Sequence, residues 1–308
     1  MPRSLPPQSD PAAAADLETE RLSAGRHHAL QSLRSFWRRP ENRVAAGIFA
    51  LGLIMVAIPV AWLPHDPTKI DMINRLKPPS WSLDPRSFPL GTDVLGRDIF
   101  SRIVYGARWT FLICLSAASI STVVGTLAGL AAGYYGATVD AIISRLMDMQ
   151  LAFPVILLAL SVLAVAGPSL INLILVLGLV DWARYARVVR AATLSQRQHD
   201  YVEAARALGA NPARIALAHI LPSILSSVVV MTTFSTALLL LTESALSFLG
   251  LGVAPPAVTW GSMIGSGRDY IYQAWWIATM PGIVITLMVL AINFLGDGLR
   301  DAFDPRER

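Results

Sequence analysis

Five long stretches of this chain carry no Asp, Glu, Lys or Arg: those between Arg43 and Asp66, Arg108 and Asp140, Asp148 and Asp181, Arg214 and Glu243, and Asp269 and Asp297. Each is long enough for a helix of about 20 apolar residues, the length that crosses a bilayer. The third stretch is interrupted by Gly167-Pro168-Ser169, a turn signal that divides it into two helices. The reading is therefore an all-α polytopic membrane protein with six spans, expected over 44–64, 111–133, 149–166, 169–189, 224–246 and 275–296. Composition agrees, with 54% hydrophobic and only 15% charged residues, against about 25% charged in an average soluble domain.

Arginine distribution orients the spans. Arg34, Arg38, Arg39 and Arg43 precede the first span, which places a basic tail, 1–43, in the cytoplasm by the positive-inside rule. That tail has no apolar core behind a basic start and does not read as a cleaved signal. Six crossings return the C-terminal segment, 299–308, to the same side, where Arg300, Arg306 and Arg308 agree. The connection between spans four and five holds Arg184, Arg187, Arg190, Arg197, Arg206 and Arg214, whereas Gly250 to Gln273 holds only Arg268. The expected extracytoplasmic segment 65–110 conflicts with the rule, because it contains Lys69, Arg75, Lys77, Arg86, Arg97, Arg102 and Arg108. The high overall pI reflects arginines flanking the spans, and nothing resembles a nucleic-acid-binding motif. Cys114 is the sole cysteine and reads as packing inside span two.

The connection from residue 193 to 222 is polar and punctuated. Asp200 is a candidate cap, and Tyr201, Ala204, Ala205 and Leu208 fall at helical spacing before Gly209, a residue suited to the left-handed stop of a helix. Asn211 and Pro212 then read as the cap and first turn of a second short helix that ends at Leu221-Pro222. The expectation is a helix-turn-helix elbow on the cytoplasmic face.

Glu203-Ala204-Ala205, Gly209 six residues after the glutamate, and Leu221-Pro222 resemble the EAA loop of ATP-binding-cassette importer permeases. The aliphatic position two before Leu-Pro is His219 here, a form familiar in the peptide and nickel branch. The resemblance implies a type I importer permease fold with a permease core over 111–298. It also implies that the loop is a coupling helix, with Tyr201, Glu203, Ala204, Ala205, Ala207, Leu208, Gly209, Asn211 and Pro212 docking on a separate ATPase.

Gly91-Thr92-Asp93, Gly96-Arg97-Asp98 and Ser101-Arg102 resemble the C-type permease of dipeptide, oligopeptide and nickel importers. Phe153-Pro154, Ser247 through Gly252, Pro255-Pro256 and Thr259-Trp260-Gly261 extend the likeness, which covers residues 40 to 305. It implies a bacterial inner-membrane subunit that forms half of a pathway with a related B-type permease. Its further implied partners are two cytoplasmic ATPases, which hold the ATP and magnesium, and an extracytoplasmic binding protein. Di- or oligopeptides are the implied cargo, with nickel or another small solute as the alternative.

Other residues carry weaker signals. Leu95, Ile99 and Ile103 line one face of an amphipathic helix ahead of span two, with Asp98 and Arg102 spaced as an i,i+4 pair. Gly125, Gly129 and Gly133 supply a small-residue face for close helix packing. Glu243 is expected near the outer boundary, where it is a candidate vestibule residue, and Asn293 is a candidate pathway residue. Asp181 and Asp148 are expected in local ion pairs, with Arg184 or Arg187 and with Arg145 respectively. The external 250–273 loop is a candidate surface for the binding protein. No GxxxxGK[ST] phosphate loop occurs in the sequence, so energy from ATP requires a partner. An ion-coupled carrier would call for midmembrane acids and inverted repeats. A metalloprotease would call for an HExxH run, which is absent.

Overall fold

Prolines and left-handed glycines cut the apolar stretches into helices. A computed structural model describes residue 37, residues 39–80 and residues 87–303. The expected tail through residue 36, and with it Arg34, lies outside the described residues, as do Arg38, Arg86, Arg306 and Arg308. Helix α1, Pro40–Ala57, stops seven residues short of the expected span end at 64. Pro59 is the cause, because its ring disfavours helical backbone at the preceding Ile58, which turns to ψ 121°.

Helix α2, Ile99–Tyr135, is continuous over 37 residues and ends at Gly136 with φ 64°. The amphipathic helix and span two are thus one element, for no proline or turn signal separates them. At 1.5 Å per residue it is roughly 55 Å long, well beyond a hydrocarbon core of about 30 Å. The expected third span over 149–166 is instead two helices, α3, Ala137–Leu151, and α4, Val155–Ala166. They meet at 88°, because Pro154 removes a donor and disfavours helix at Phe153. Gly167, at φ 81°, makes the expected turn, and Ser169 caps α5, Leu170–Gln196, by accepting from the Asn172 amide at 3.1 Å.

The remaining helices are α6, Asp200–Ala207; α7, Pro212–Phe248; α8, Trp260–Gly267; and α9, Trp276–Phe303. Among the described residues there is no strand, only an isolated bridge between Thr92 and Asp98. Helices α1, α2, α7 and α9 are each long and apolar enough to cross a membrane, and the bent α3–α4 pair makes a fifth candidate crossing. Helix α5, the other expected span, is long enough but carries Asp181, Arg184, Arg187 and Arg190 from near its middle onward.

Those charges are answered by neighbours. Arg190 pairs with Asp140 at 2.6 Å and Arg187 with Asp148 at 2.7 Å, both acids belonging to α3. Asp148 therefore reaches across to α5 rather than to Arg145, while Asp181 takes the expected local partner, Arg184, at 3.5 Å. The apolar side of α5 lies parallel to α2 along the glycine face. A Cβ on Gly125 would stand 2.6 Å from the Trp182 carbonyl, one on Gly129 2.5 Å from the Ala186 carbonyl, and one on Gly133 2.7 Å from Thr193 Cβ. Backbones this close gain dispersion contacts that lipid cannot replace. Ser121 Oγ donates to the Gly178 carbonyl at 2.8 Å in the same seam.

At the end of the bundle away from α6, the loop before α2 closes over the helices. Asp93 is its hub. Its Oδ1 accepts from the amides of Leu95 and Arg97 at 2.8 and 2.9 Å, and its Oδ2 accepts from Arg97 Nε at 2.7 Å and pairs with Arg102 at 3.5 Å. Asp98 does not pair with Arg102. It caps α2 instead, accepting from the Ser101 amide and hydroxyl at 2.9 and 2.6 Å. A cap position leaves the carboxylate pointing at the helix's own first turn, which removes it from the i,i+4 face. Arg102 Nη1 donates to the Pro67 carbonyl at 3.1 Å, and Arg108 Nε to that of Val56 at 3.1 Å. Three of the arginines that conflict with the charge rule thus have structural work. Asp93→Ala would leave Arg102 buried without its acid, a change of the kind that costs about 3–5 kcal/mol. We expect a lower thermal midpoint for the purified variant, and an unchanged midpoint would discount the hub.

Trp260, wholly buried, ties α8 to α2 by donating from Nε1 to the Ile103 carbonyl at 2.9 Å. Thr259 caps α8 in a reciprocal box with Ser262. The Thr-Trp-Gly run is therefore a structural joint, with a Cβ on Gly261 only 2.5 Å from Ser244 Cα of α7. Cys114 is free and buried, as expected.

Candidate functional site

The polar connection folds into an elbow whose geometry follows from three residues. Gly209 adopts φ 79°, and the amides of Gly209 and Ala210 donate to the carbonyls of Arg206 and Ala205 at 3.0 and 3.1 Å. This pairing is a Schellman stop, which needs a residue free to enter the left-handed region. Asn211 Oδ1 then accepts from the Ala213 amide at 3.0 Å, and Pro212 occupies the first turn of α7. Asp200, in contrast, is the first helical residue of α6, and the cap position belongs to His199.

The second short helix expected to end at Leu221-Pro222 does not end there. A π-helical stretch, Ile215–Ile220, carries it straight into the membrane span, with the Leu221 amide donating to the Ala216 carbonyl. Pro222 cannot donate and crowds the preceding turn; a widened turn accommodates it without breaking the helix.

One residue pins the elbow to the bundle. Val202 is 0% exposed and packs in a cluster with Leu130 and Tyr134 of α2, Val189 of α5, and Ile215, Ile220 and Ile224 of α7. Ala205 and Ala210 pack against the same cluster. The opposite face is open: Tyr201, Glu203, Ala204, Ala207, Leu208, Gly209, Asn211 and Pro212 are exposed. Leu208, at 89% exposed, lies on the face that the resemblance assigns to docking. The Schellman turn rolls it outward. Val202 was the missed residue, and its signal was the i,i+3 apolar spacing to Ala205.

A second feature lies on the same end of the bundle. A cleft of about 860 Å³ is bounded by Arg184 and Val188 of α5, by α7 from Ser226 to Leu238, and by Arg300 of α9. Neither candidate pathway residue lines it. Glu243 is 0% exposed, with Oε1 accepting from Ser247 Oγ at 2.7 Å and Oε2 buried without a partner. It is turned inward at the α7–α8 joint because the close approach of α8 at Gly261 covers that face. The carboxylate expected at a vestibule faces no open space in this structure. Asn293 is partly buried on α9.

Comparison with known proteins accounts for this architecture. Residues 125–308 match the family described as binding-protein-dependent transport system inner membrane component. This chain belongs to that family. The permease is 43% identical, over 89% of its length and 92% of the relative's, to the di/tripeptide transport system permease protein DppC of Pseudomonas aeruginosa. It is 41% identical, over 89% and 91%, to the glutathione transport system permease protein GsiD of Pectobacterium atrosepticum. Among solved structures, an inward-facing MetNI methionine ABC transporter aligns with a TM-score of 0.53 at 22% identity, over 65% of the permease and 96% of that chain. That likeness shows the fold.

Proposed function

We propose that this permease forms half of the translocation pathway of an ATP-binding-cassette importer for di- or oligopeptides, with a related B-type permease as the other half. The α6 elbow docks on a separate cytoplasmic ATPase. The observation that supports this most directly is the division of the elbow into a buried anchor at Val202 and an exposed knob from Tyr201 to Leu208. Small Ala204 and Ala207 let a partner surface approach, Leu208 offers it an apolar contact, and Glu203 offers a carboxylate to a basic group. Because Val202 belongs to one buried cluster with side chains of α2, α5 and α7, displacing the knob would disturb packing that several spans share. ATP and magnesium belong to the partner, and an external binding protein delivers cargo.

Orientation follows from the same reading. The elbow end carries the arginines of α5 and α6, and Arg39 at the start of α1 pairs there with Asp301 at the end of α9. Both ends of the bundle segment thus lie on one side, which the positive-inside rule assigns to the cytoplasm. The peptide reading draws on the relatives' names.

The test is coupling. Glu203→Arg leaves the fold untouched because the residue is exposed. Gly209→Trp has open space but must adopt a strained left-handed backbone. In reconstituted importer we expect both to hydrolyse ATP without stimulation by loaded binding protein and to lose most uptake. Unchanged coupled uptake in Glu203→Arg would refute the docking role.

A further inference from the structure

The cleft between α5, α7 and α9 combines cationic, hydroxyl and apolar groups in one wall. Arg184 and Arg300 stand at its rim, and Phe234 and Met231 form part of its apolar side. Ser226, Ser227 and Ser235 add hydroxyls along α7. Asp181 is paired with Arg184 through Oδ1 at 3.5 Å, and of the two acids flanking Arg300 on α9, Asp297 and Asp301, Asp301 is drawn to Arg39. Arg300 has no ion pair among the described residues. The cleft's volume of about 860 Å³ falls in the range that holds small ligands, about 300–1,000 Å³.

We infer that Arg184 and Arg300 form a carboxylate-recognising element in this cleft, which holds the C-terminal carboxylate of a short peptide on the elbow side of the pathway. The inference rests on the peptide reading above. Guanidinium groups bind carboxylates with charge-assisted, often bidentate hydrogen bonds, and the apolar wall accommodates varied side chains without selecting among them. An anionic lipid headgroup shares the charge. The serine hydroxyls favour the peptide, since they can pair with amide groups that an acyl chain lacks.

Ser227 is exposed toward the cleft, which permits a direct test in the intact importer. The complex carrying Ser227→Cys is treated with a maleimide, and modification of this chain is followed by mass spectrometry, with buried Cys114 as the internal reference. A millimolar dipeptide is expected to slow labelling several-fold, while its C-terminal amide does not. Arg184→Gln or Arg300→Gln should abolish that difference; the second variant, at an exposed helix end, guards against misfolding of the first. Equal protection by acid and amide, or protection that survives both arginine variants, would overturn the inference. So would a Ser227→Cys complex that stays unlabelled without peptide, which would mean that the other permease fills the cleft. Comparison of phosphatidylcholine with phosphatidylglycerol nanodiscs separates the sources: protection by phosphatidylglycerol alone assigns the site to lipid and sinks the peptide. ATP-driven dipeptide uptake by the same preparation is measured alongside. Uptake without protection defeats this inference only, and no uptake at all defeats the peptide reading itself.

Discussion

Gly129→Leu is expected to prevent the chain from forming a stable bundle. A Cβ at that position would stand 2.5 Å from the Ala186 carbonyl oxygen, 2.8 Å from Val189 Cβ and 3.0 Å from Ala186 Cα. Overpacking typically costs about 1–3 kcal/mol where side chains can give way. Here two of the three obstructing atoms are backbone, so α2 and α5 must separate along the whole seam. In a membrane no hydrophobic force draws them back together, because lipid solvates the separated faces as well. The measurement is size-exclusion monodispersity and thermal midpoint of the detergent-purified chain. Gly47→Leu on α1 is the control, since nothing lies within 4 Å of a Cβ placed there. A monodisperse Gly129→Leu with an unshifted midpoint would show that the seam contributes little to stability.

Val202→Asp should free the elbow while leaving the spans in place. The residue is wholly buried in an apolar cluster to which α2, α5 and α7 contribute, and an unpaired carboxylate there costs several kcal/mol. Helix α6 has only eight residues, so swinging it out to water is the cheaper response than unfolding the bundle. We expect amide exchange across 200–212 to rise sharply, with exchange in α2 unchanged. Under the proposed function, ATP hydrolysis in the assembled importer should then no longer respond to loaded binding protein, and uptake should fall to background. Retained coupling despite a mobile elbow would show that force is not carried through this cluster.

These two sites were legible in the sequence to different degrees. Gly125, Gly129 and Gly133 stood out because a fourfold spacing of glycines is a local pattern with one strong use in membranes. The elbow was legible for the same reason: Gly209 and Asn211-Pro212 act on their own backbone, within a few residues. The anchor was not, since Val202 is one apolar residue on a short helix and its partners come from three distant helices.

Charged residues divide the same way. Asp98 and Arg102 have the spacing of a pair, yet each has a nearer competitor: the first turn of α2 for Asp98, and Asp93 with the Pro67 carbonyl for Arg102. Asp148 finds Arg187 on a helix thirty-nine residues away, and Glu243 is enclosed by α8, which arrives from beyond the following loop.

Which stretches are apolar enough for a bilayer, where the elbow bends and which face of α2 is smooth could all be read from the chain alone. Those properties depend on hydropathy, side-chain size and backbone freedom, which each residue carries wherever it sits. It took the packed helices to show that α2 runs unbroken for 37 residues, that Pro154 splits one expected span into a bent pair, and that Pro222 is absorbed by a π turn. Packing likewise selects which arginines brace the loop before α2 and which face the cleft. A charge or a proline has several solutions of similar local energy, and the choice falls to whatever packs against it.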